Sequence, residues 1–387
     1  MTAYISNVSN AFLFALGLIT AFIFMLILLA EVIELILDKG KKIISKEGRI
    51  RGVRLCEHRV GKKSKIITDE KYRFWFSVKD TIMEKKEILF DIDNNGWIEP
   101  VRISDNPKAS FVFLGDSTIE CAIVQPENRF PYKIGQYINQ EVSSFNAGYS
   151  GAFSYYMLGT LLYKVIPMKP THVFWCSNIN EIIQILKFGD LHSGDIFSEG
   201  KIIYDEKDFG ESFKRRIKYI VRILFPNFYT ELYSFAKRYK RRTDGIPDFK
   251  MKAETTEWNW IEAKIKTNLE LFIDICRGYE IIPILMTQCG MFDKLGNDKR
   301  LREIYDRTIH RGDKEDYKKF GELFNQGNEL IRKVASSKKV KCVDLEKVIP
   351  KDSQYIYDLV HFTDDGSILA AKEICRVIDD ISMPELK

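Results

Sequence analysis

The sequence lacks the cysteine and histidine patterns that are typical of disulfide-bonded or zinc-stabilised folds. Its seven cysteines are scattered and odd in number, so they do not make a disulfide framework. It has no CxxC pair and no histidine-rich tract, which argues against a structural zinc site. The formal net charge is only +5 over 387 residues, so the location of the basic residues is more informative than their number.

Charge is also missing from the start of the chain. Residues 1 to 10 contain no lysine or arginine, and residues 11 to 30 contain no charged residue. Twenty residues rising about 1.5 Å each span the ~30 Å hydrocarbon core of a bilayer. The absence of a basic n-region argues against a cleaved signal peptide. We therefore predict an N-terminal membrane anchor over residues 1–37, with one transmembrane helix over about 11–37; a buried core helix is the alternative.

Basic residues follow the predicted span directly, whereas none precedes it. They are Lys39, Lys41, Lys42, Lys46, Arg49, Arg51 and Arg54. The positive-inside rule then predicts a single-pass membrane protein whose bulk lies in the cytoplasm. Unpaired cysteines agree with a reducing compartment. The extracytoplasmic side is the alternative that the flank of one span leaves open.

Residues 38–108 are predicted to be a basic juxtamembrane connector with a small extended region. Its strand candidates are residues 73–78 and 87–92. The stretch DIDNNGWIEPVR resembles a calcium loop at its first positions, but Arg102 stands where the bidentate glutamate is required. Asn94, Asn95 and Gly96 are turn formers, and we predict a turn between two extended segments.

From residue 109 onward, short apolar runs alternate with longer amphipathic segments. The predicted strands are residues 111–114, 142–146, 172–177, 281–288 and 340–345. The predicted helices are residues 118–139, 152–166, 254–278, 314–337 and about 365–380. Strands that alternate with helices indicate an α/β fold with a parallel sheet and helices on both faces. Ligands of such sheets bind at the carboxyl ends of the strands.

Four polar motifs follow predicted strands or lie near the C-terminus: GDS (115–117), NAGYSG (146–151), NINE (178–181) and YDLVHFTDDG (357–366). In this order they resemble the blocks of the SGNH hydrolase superfamily, the GDSL esterases and lipases. The resemblance covers roughly residues 109–380, apart from an insertion or lid at about 190–250. It implies a three-layer αβα domain over 109–387, with a flavodoxin-like parallel sheet of five strands.

The resemblance also assigns roles at the site. Ser117 corresponds to the nucleophile, His361 to the general base and Asp358 to the residue that orients the base. A serine hydroxyl is a poor nucleophile at neutral pH and needs such a base within about 2.6–3.2 Å. Imidazole titrates near neutrality, and a carboxylate on its other nitrogen fixes the tautomer. The mechanism needs no metal or organic cofactor, and we expect none.

The oxyanion hole is expected from the backbone N–H groups of Ser117 and Gly151 and the side-chain amide of Asn180. Asp116 is expected to support the nucleophile from beside it. Each of Asp116, Ser117 and Asn180 could instead serve only as a helix cap. The third block is usually GxND, whereas this chain has Asn178, Ile179, Asn180 and Glu181, which puts the shape of the pocket in doubt.

Residues 211–242 contain ten lysines or arginines against two glutamates, a net +8. Apolar residues recur there at helical spacing with a break at Pro226. Beside a membrane anchor, this stretch suits anionic lipid; a solvated lid over the active site is an equal alternative. No helix-turn-helix, zinc or RNP-like motif supports nucleic-acid binding. The sequence does not indicate an oligomeric state.

Two functions follow from these features. The first is a membrane-anchored serine esterase or O-acyltransferase that forms an acyl-serine intermediate on an ester of a glycan or lipid. The alternative is a non-catalytic binding or scaffold module of a membrane-associated assembly. The presence of Ser117, Gly151, Asn180, Asp358 and His361 together favours the enzyme.

Overall fold

The computed structural model describes residues 17–26, 28–29, 32–33, 55, 57–58, 60–67, 87–101, 107–138, 142–191, 257–309 and 313–379. The chain divides into two compact units: Met1–Lys46 with Ile203–Ile246, and Glu47–Ile202 with Pro247–Lys387. The strand predicted at 73–78 and the basic stretch 211–242 lie outside the described residues.

In the first unit, residues 17–26 are helical, as the predicted anchor requires. Their apolar side chains are largely exposed, with Leu18, Ile19 and Phe22 each exposed by more than half: 57%, 56% and 56%. None of the helices in the described ranges combines the length and the apolar character needed to cross a bilayer. Much of the span expected at 11–37 lies outside those ranges, so the transmembrane helix stays a prediction.

The second unit contains two sheets. A six-stranded sheet has the order β3-β5-β4-β6-β7-β8, and a two-stranded antiparallel sheet pairs β1 with β2. The strands are β1 (Lys65–Ile67), β2 (Glu87–Leu89), β3 (Ile98–Val101), β4 (Ala109–Gly115), β5 (Val142–Asn146), β6 (His172–Cys176), β7 (Ile282–Met286) and β8 (Lys341–Val343).

The α/β class and the mostly parallel sheet are confirmed. The strands β5, β4, β6, β7 and β8 pair in parallel, and their order is the flavodoxin-like one. The predicted count of five strands is wrong, because β3 pairs antiparallel with β5, placing Ile98 opposite Asn146. The turn after Asp93, whose carboxylate accepts the N–H groups of Asn95 and Trp97 at 2.8 Å each, reverses the chain along that edge.

The helices flank the sheet. They are α1 (Ser117–Glu120), α2 (Phe130–Tyr137), α3 (Ser154–Thr160), α4 (Ile179–Phe188), α5 (Trp258–Gly278), α6 (Lys299–Thr308), α7 (Lys314–Ser337), α8 (Leu345–Val348) and α9 (Asp364–Asp379). α2 packs against α9, and α5 packs against α7. Because crossovers between parallel strands are right-handed as a rule, this strand order places the two pairs on opposite faces of the sheet, in three layers.

The helix boundaries follow local signals. The predicted helix 118–139 is two helices, because Cys121 takes a left-handed conformation (φ 50°) at the end of α1 and Pro126 follows shortly after. The prediction for α7 is confirmed at 314–337, where Asp313 and Asp316 form a capping box. The core between the layers is aromatic, with Phe113 and Phe174 stacked at 4.4 Å.

Two buried cations tie the segment before β4 to the α/β layers. Lys164 donates to Glu57 at 2.9 Å and to the carbonyl of Gly96 at 2.8 Å, and its ammonium lies 4.0 Å from the ring centre of Trp97. Arg129 donates to the carbonyl of Leu89 at 2.7 Å. The described residues between Glu57 and Val101 therefore pack as a part of the domain, in addition to any role in connecting it to an anchor.

We predict that Lys164→Met lowers the free energy of unfolding by about 1–3 kcal/mol, because it keeps the apolar stem but removes a donor from Glu57 and Gly96. The measurement is the urea midpoint at unchanged m value. Lys266→Met, an exposed position of α5, is the control and should leave the midpoint unchanged. Equal midpoints for Lys164→Met and the wild type would mean that this tie contributes nothing to stability.

Candidate active site

The chain turns sharply between β4 and α1. A side chain at Gly115 would place a Cβ 2.1 Å from Ile119 Cγ1 and 2.7 Å from the Cys176 carbonyl, so only glycine fits there. Asp116 caps α1 by accepting the N–H of Thr118 at 2.8 Å. Asp116 is therefore the N-cap of α1, and this cap places Ser117 at the start of α1, at the carboxyl edge of the sheet.

Three of the predicted site residues form one hydrogen-bonded chain. His361 Nε2 lies 2.7 Å from Ser117 Oγ, and His361 Nδ1 lies 2.7 Å from Asp358 Oδ2. Asp358 Oδ1 accepts the backbone N–H groups of Val360 and His361 at 2.9 Å each, which fixes the carboxylate. The arrangement meets the distances that a base and its orienting group need.

The surroundings of His361 and Asp358 favour the charged form of both side chains. Burial opposes charge on His361, but the Asp358 carboxylate together with Asp116 and Glu120 more than offsets this, and the pKa of His361 is raised. The pKa of Asp358 is lowered, because the imidazole and the two backbone donors outweigh its burial. The ring of Tyr357 stacks on that of His361 at 5.5 Å between centroids.

The NAGYSG loop at the end of β5 is hydrogen-bonded to the turn between β4 and α1. Asn146 donates to the carbonyl of Ile119 at 2.8 Å, and the N–H of Tyr149 donates to the carbonyl of Gly115 at 3.1 Å. A Cβ at Gly148 would lie 2.2 Å from the backbone nitrogen of Glu120. This contact brings the loop, and with it Gly151, against α1.

The two predicted backbone donors are available at this edge. Gly151 has a φ of 80°, a conformation that glycine adopts without strain. Within the described part of the chain, no acceptor takes the N–H of Ser117 or of Gly151. Both N–H groups can therefore serve a ligand oxygen.

Asn180, the third predicted donor, is in the same place but is engaged. Its Nδ2 lies 3.1 Å from the carbonyl of Ala152 and 3.3 Å from Asp116 Oδ2. Asn180 lies inside α4 rather than at its cap, so the capping alternative does not apply. To stabilise an oxyanion, its amide has to exchange one of these acceptors for the substrate.

Sequence reasoning missed Gln288, which is 1% exposed and lies behind the nucleophile. Its Nε2 donates to Asp116 Oδ2 at 2.9 Å and to Thr118 Oγ1 at 2.7 Å, and its Oε1 accepts the N–H of Ile179 at 2.8 Å. Gln288 thus joins α1 to α4. The available signal was its position at the carboxyl end of a predicted strand, where polar residues are functional candidates.

Gln288 also acts on the charge of Asp116. Burial raises the pKa of Asp116, and the donors Thr118 and Gln288 oppose that rise. The predicted supporting role of Asp116 thus has a structural counterpart, because this side chain holds α1 and is held by Gln288.

Glu181 replaces the usual aspartate of the third block and is 2% exposed. It accepts the N–H of Ser154 at 2.6 Å and the hydroxyl of Ser177 at 2.8 Å, and its second oxygen lies 2.9 Å from Ser154 Oγ. Burial raises the pKa of Glu181 to about 7. The side chain of Glu181 thus joins α4 to the start of α3.

Two other histidines, His172 and His192, are conceivable bases for a serine. His172 is buried at the start of β6, where its Nδ1 lies 2.8 Å from Thr171 Oγ1 and burial lowers its pKa to about 4. His192 lies outside the described residues.

Comparison with solved structures finds GDSL-type esterases at low similarity. Acetylxylan esterase Axe2 from Geobacillus stearothermophilus has a TM-score of 0.40 and 13% identity, covering 73% of this chain and 99% of that chain. A GDSL-like lipase from Bacteroides thetaiotaomicron has a TM-score of 0.39 and 15% identity, covering 72% and 93%. A member of the lipolytic protein G-D-S-L family from Veillonella parvula has 0.39 and 11%, covering 70% and 99%.

No family model matches the sequence, and no curated protein matches it significantly. At the identities and TM-scores above, the likeness to solved structures carries no conclusion about function. What the site can do has to follow from its own residues.

We predict that Glu181 makes the protein less stable as pH rises. Its pKa is raised in the folded state, so its contribution is full below its ordinary pKa of about 4.5 and is lost as pH rises through about 7. Relative to Glu181→Gln, wild-type stability should fall by about 2–3 kcal/mol between pH 5 and 8. Urea unfolding at several pH values measures this difference.

Glu322→Gln, at an exposed position of α7, is the control and should show no such pH trend. A difference between wild type and Glu181→Gln that is constant from pH 5 to 8 would contradict the raised pKa.

Proposed function

We propose that this chain is a serine ester hydrolase or O-acyltransferase that works through an acyl-serine intermediate. The observation that supports it most is the continuous chain of contacts from Ser117 Oγ through His361 to Asp358, with 2.7 Å at each step. Such a chain activates a serine whose hydroxyl would otherwise be a poor nucleophile.

In the first step, Ser117 Oγ attacks the ester carbonyl and gives its proton to His361 Nε2. Asp358 accepts the other ring N–H and stabilises the imidazolium that forms. The tetrahedral intermediate then expels the alcohol, which takes the proton back from Nε2. Water or a second alcohol repeats the sequence in reverse and releases the acyl group from Ser117.

Negative charge on the carbonyl oxygen requires donors at that position. The N–H groups of Ser117 and Gly151 supply two, and the amide of Asn180 supplies a third after it leaves Asp116 or Ala152. Loss of one such donor typically costs ~10²- to 10³-fold in rate.

The substrate we propose is an ester carried by a glycan or a lipid. The support is the predicted membrane anchor, which would keep the site near such molecules. Hydrolysis and transfer share every step up to the acyl-enzyme, so both remain within the proposal. A scaffold function is the second candidate. A scaffold would not need Ser117, His361 and Asp358 to be aligned by hydrogen bonds, so their alignment favours the enzyme.

We predict that a fluorophosphonate labels the wild-type protein and that Ser117→Ala and His361→Ala abolish the label. Turnover of p-nitrophenyl acetate should fall by ~10³-fold or more in both variants. Ser353→Ala, an exposed serine, is the control and should label like the wild type. A folded wild-type protein that takes no label and shows no turnover would favour the scaffold.

We also propose that the N-terminal helix anchors the protein, with the catalytic unit on the cytoplasmic side and the basic stretch 211–242 against anionic lipid. The full chain should then resist extraction from membranes by alkaline carbonate. Ile23→Lys with Leu26→Lys should release it, since each charge at the centre of a span costs about 3 kcal/mol. Ile67→Lys, an exposed position of β1, is the control. Extraction of the wild type by carbonate would refute the anchor.

A further inference from the structure

Glu120 is a buried carboxylate that the triad does not use. It ends α1, the helix that begins with Ser117, and it is 5% exposed. Burying a carboxylate is costly unless partners compensate for its lost hydration. The partners of Glu120 therefore indicate why it is there.

The first partner is Ser150, whose hydroxyl donates to Glu120 Oε2. Ser150 immediately precedes Gly151, the residue that supplies a backbone donor to the oxyanion site. Gly148, two residues before Ser150, packs closely on the backbone of Glu120, because a Cβ at Gly148 would lie 2.2 Å from the Glu120 nitrogen. Glu120 thus holds the part of the loop that sets the direction of the Gly151 N–H.

The second partner comes from the segment before the α/β layers. His58 Nε2 lies 3.0 Å from Glu120 Oε1 but lacks the alignment of a hydrogen bond, so the contact is an ion pair when His58 is protonated. The His58 ring lies 5.2 Å from that of Phe90 and 5.1 Å from that of Tyr149, between centroids. These contacts hold His58 over the NAGYSG loop.

We propose that Glu120 is a positioning residue for the oxyanion site, which holds Gly151 through Ser150 and is itself held by His58. His58, which belongs to the segment before the α/β layers, thereby contributes to the active site. The inference rests on the proposed serine mechanism and assigns it residues outside the triad and the expected oxyanion donors.

Glu120 also contributes charge near the base. The charged groups that act on His361 are Asp358 from its own loop and Asp116 and Glu120 from the chain after β4, and all three favour the imidazolium. Tyr357 covers one face of the ring. Removing the charge of Glu120 should therefore lower the pKa of His361 without disturbing its contact with Asp358.

The test measures kcat, KM and the pH dependence of kcat/KM for p-nitrophenyl acetate. Glu120→Ala and Ser150→Ala should each lower kcat ~10- to 100-fold with little change in KM, because an oxyanion donor acts mainly in the transition state. Glu120→Gln keeps an acceptor for Ser150 and should retain kcat within ~5-fold. Its kcat/KM should rise at a lower pH than that of the wild type.

The double variant Glu120→Ala with Ser150→Ala tests whether the two residues act together. Since each change breaks the same contact, the double variant should lose no more kcat than the worse single variant. Additive losses would overturn the proposal. Thermal unfolding of each variant identifies any that fail to fold, and Glu120→Gln serves as the conservative replacement.

His58→Phe tests the contribution of the preceding segment. It keeps the ring contacts with Phe90 and Tyr149 but removes the nitrogen that faces Glu120, and kcat should fall ~3- to 10-fold. The control is Glu87→Gln, which removes an exposed carboxylate of β2 that pairs with Lys65 of β1. This variant should behave as the wild type. Unchanged kinetics of His58→Phe would remove His58 from the proposal.

Different results would contradict the serine mechanism and the positioning role of Glu120. A wild-type protein without label or turnover refutes the serine mechanism itself. An active wild type whose Glu120→Ala variant has normal kcat refutes only the positioning role.

Discussion

The close contact between the turns that follow β4 and β5 is the constraint on which the site depends. Gly115 and Gly148 leave no space for a side chain, because Ile119 and the backbone of Glu120 occupy it. Their packing places the start of α1 and the NAGYSG loop side by side. The path of the main chain then sets the positions of Ser117 and Gly151, whereas His361 and Asp358 reach the site through their side chains.

Buried charges connect the rest of the domain to this edge. Lys164, Arg129 and Glu120 are 6%, 3% and 5% exposed, and each finds a partner among residues 57–101. A buried charge without its partner is strongly destabilising, so the three contacts make the preceding segment hard to separate from the α/β layers. The segment and the α/β layers are therefore stabilised by the same contacts.

Much of this architecture could be predicted from the sequence, for identifiable physical reasons. The strands β4 to β8 are short, apolar and bounded by turn residues, and parallel strands put their carboxyl ends together, which predicts where Ser117, Gly151 and Asn180 meet. Asp358 and His361 are three residues apart and share one loop. These features depend on local pattern alone.

What could not be predicted depends on contacts between distant segments. The pairing of β3 with β5, the contact of Gln288 with Asp116 and the partners of Glu120 join residues from 30 to 172 positions apart, for which one sequence gives no signal. The engagement of Asn180 with Asp116 is similar, because a motif specifies the amide and not its neighbours. Sequence patterns therefore predicted the candidate site residues, whereas the residues that hold them in place could be identified only from the structure.

The edges of the main sheet bear on how this protein can assemble with others. At one edge, β3 carries Pro100, which has no N–H to donate. At the other edge, β8 is only three residues long. Within the described residues of β3 and β8, neither edge offers a long continuous row of hydrogen-bonding groups, which disfavours the addition of a strand from another molecule. Complexes formed by this domain would accordingly use side-chain surfaces, with the sheet itself complete.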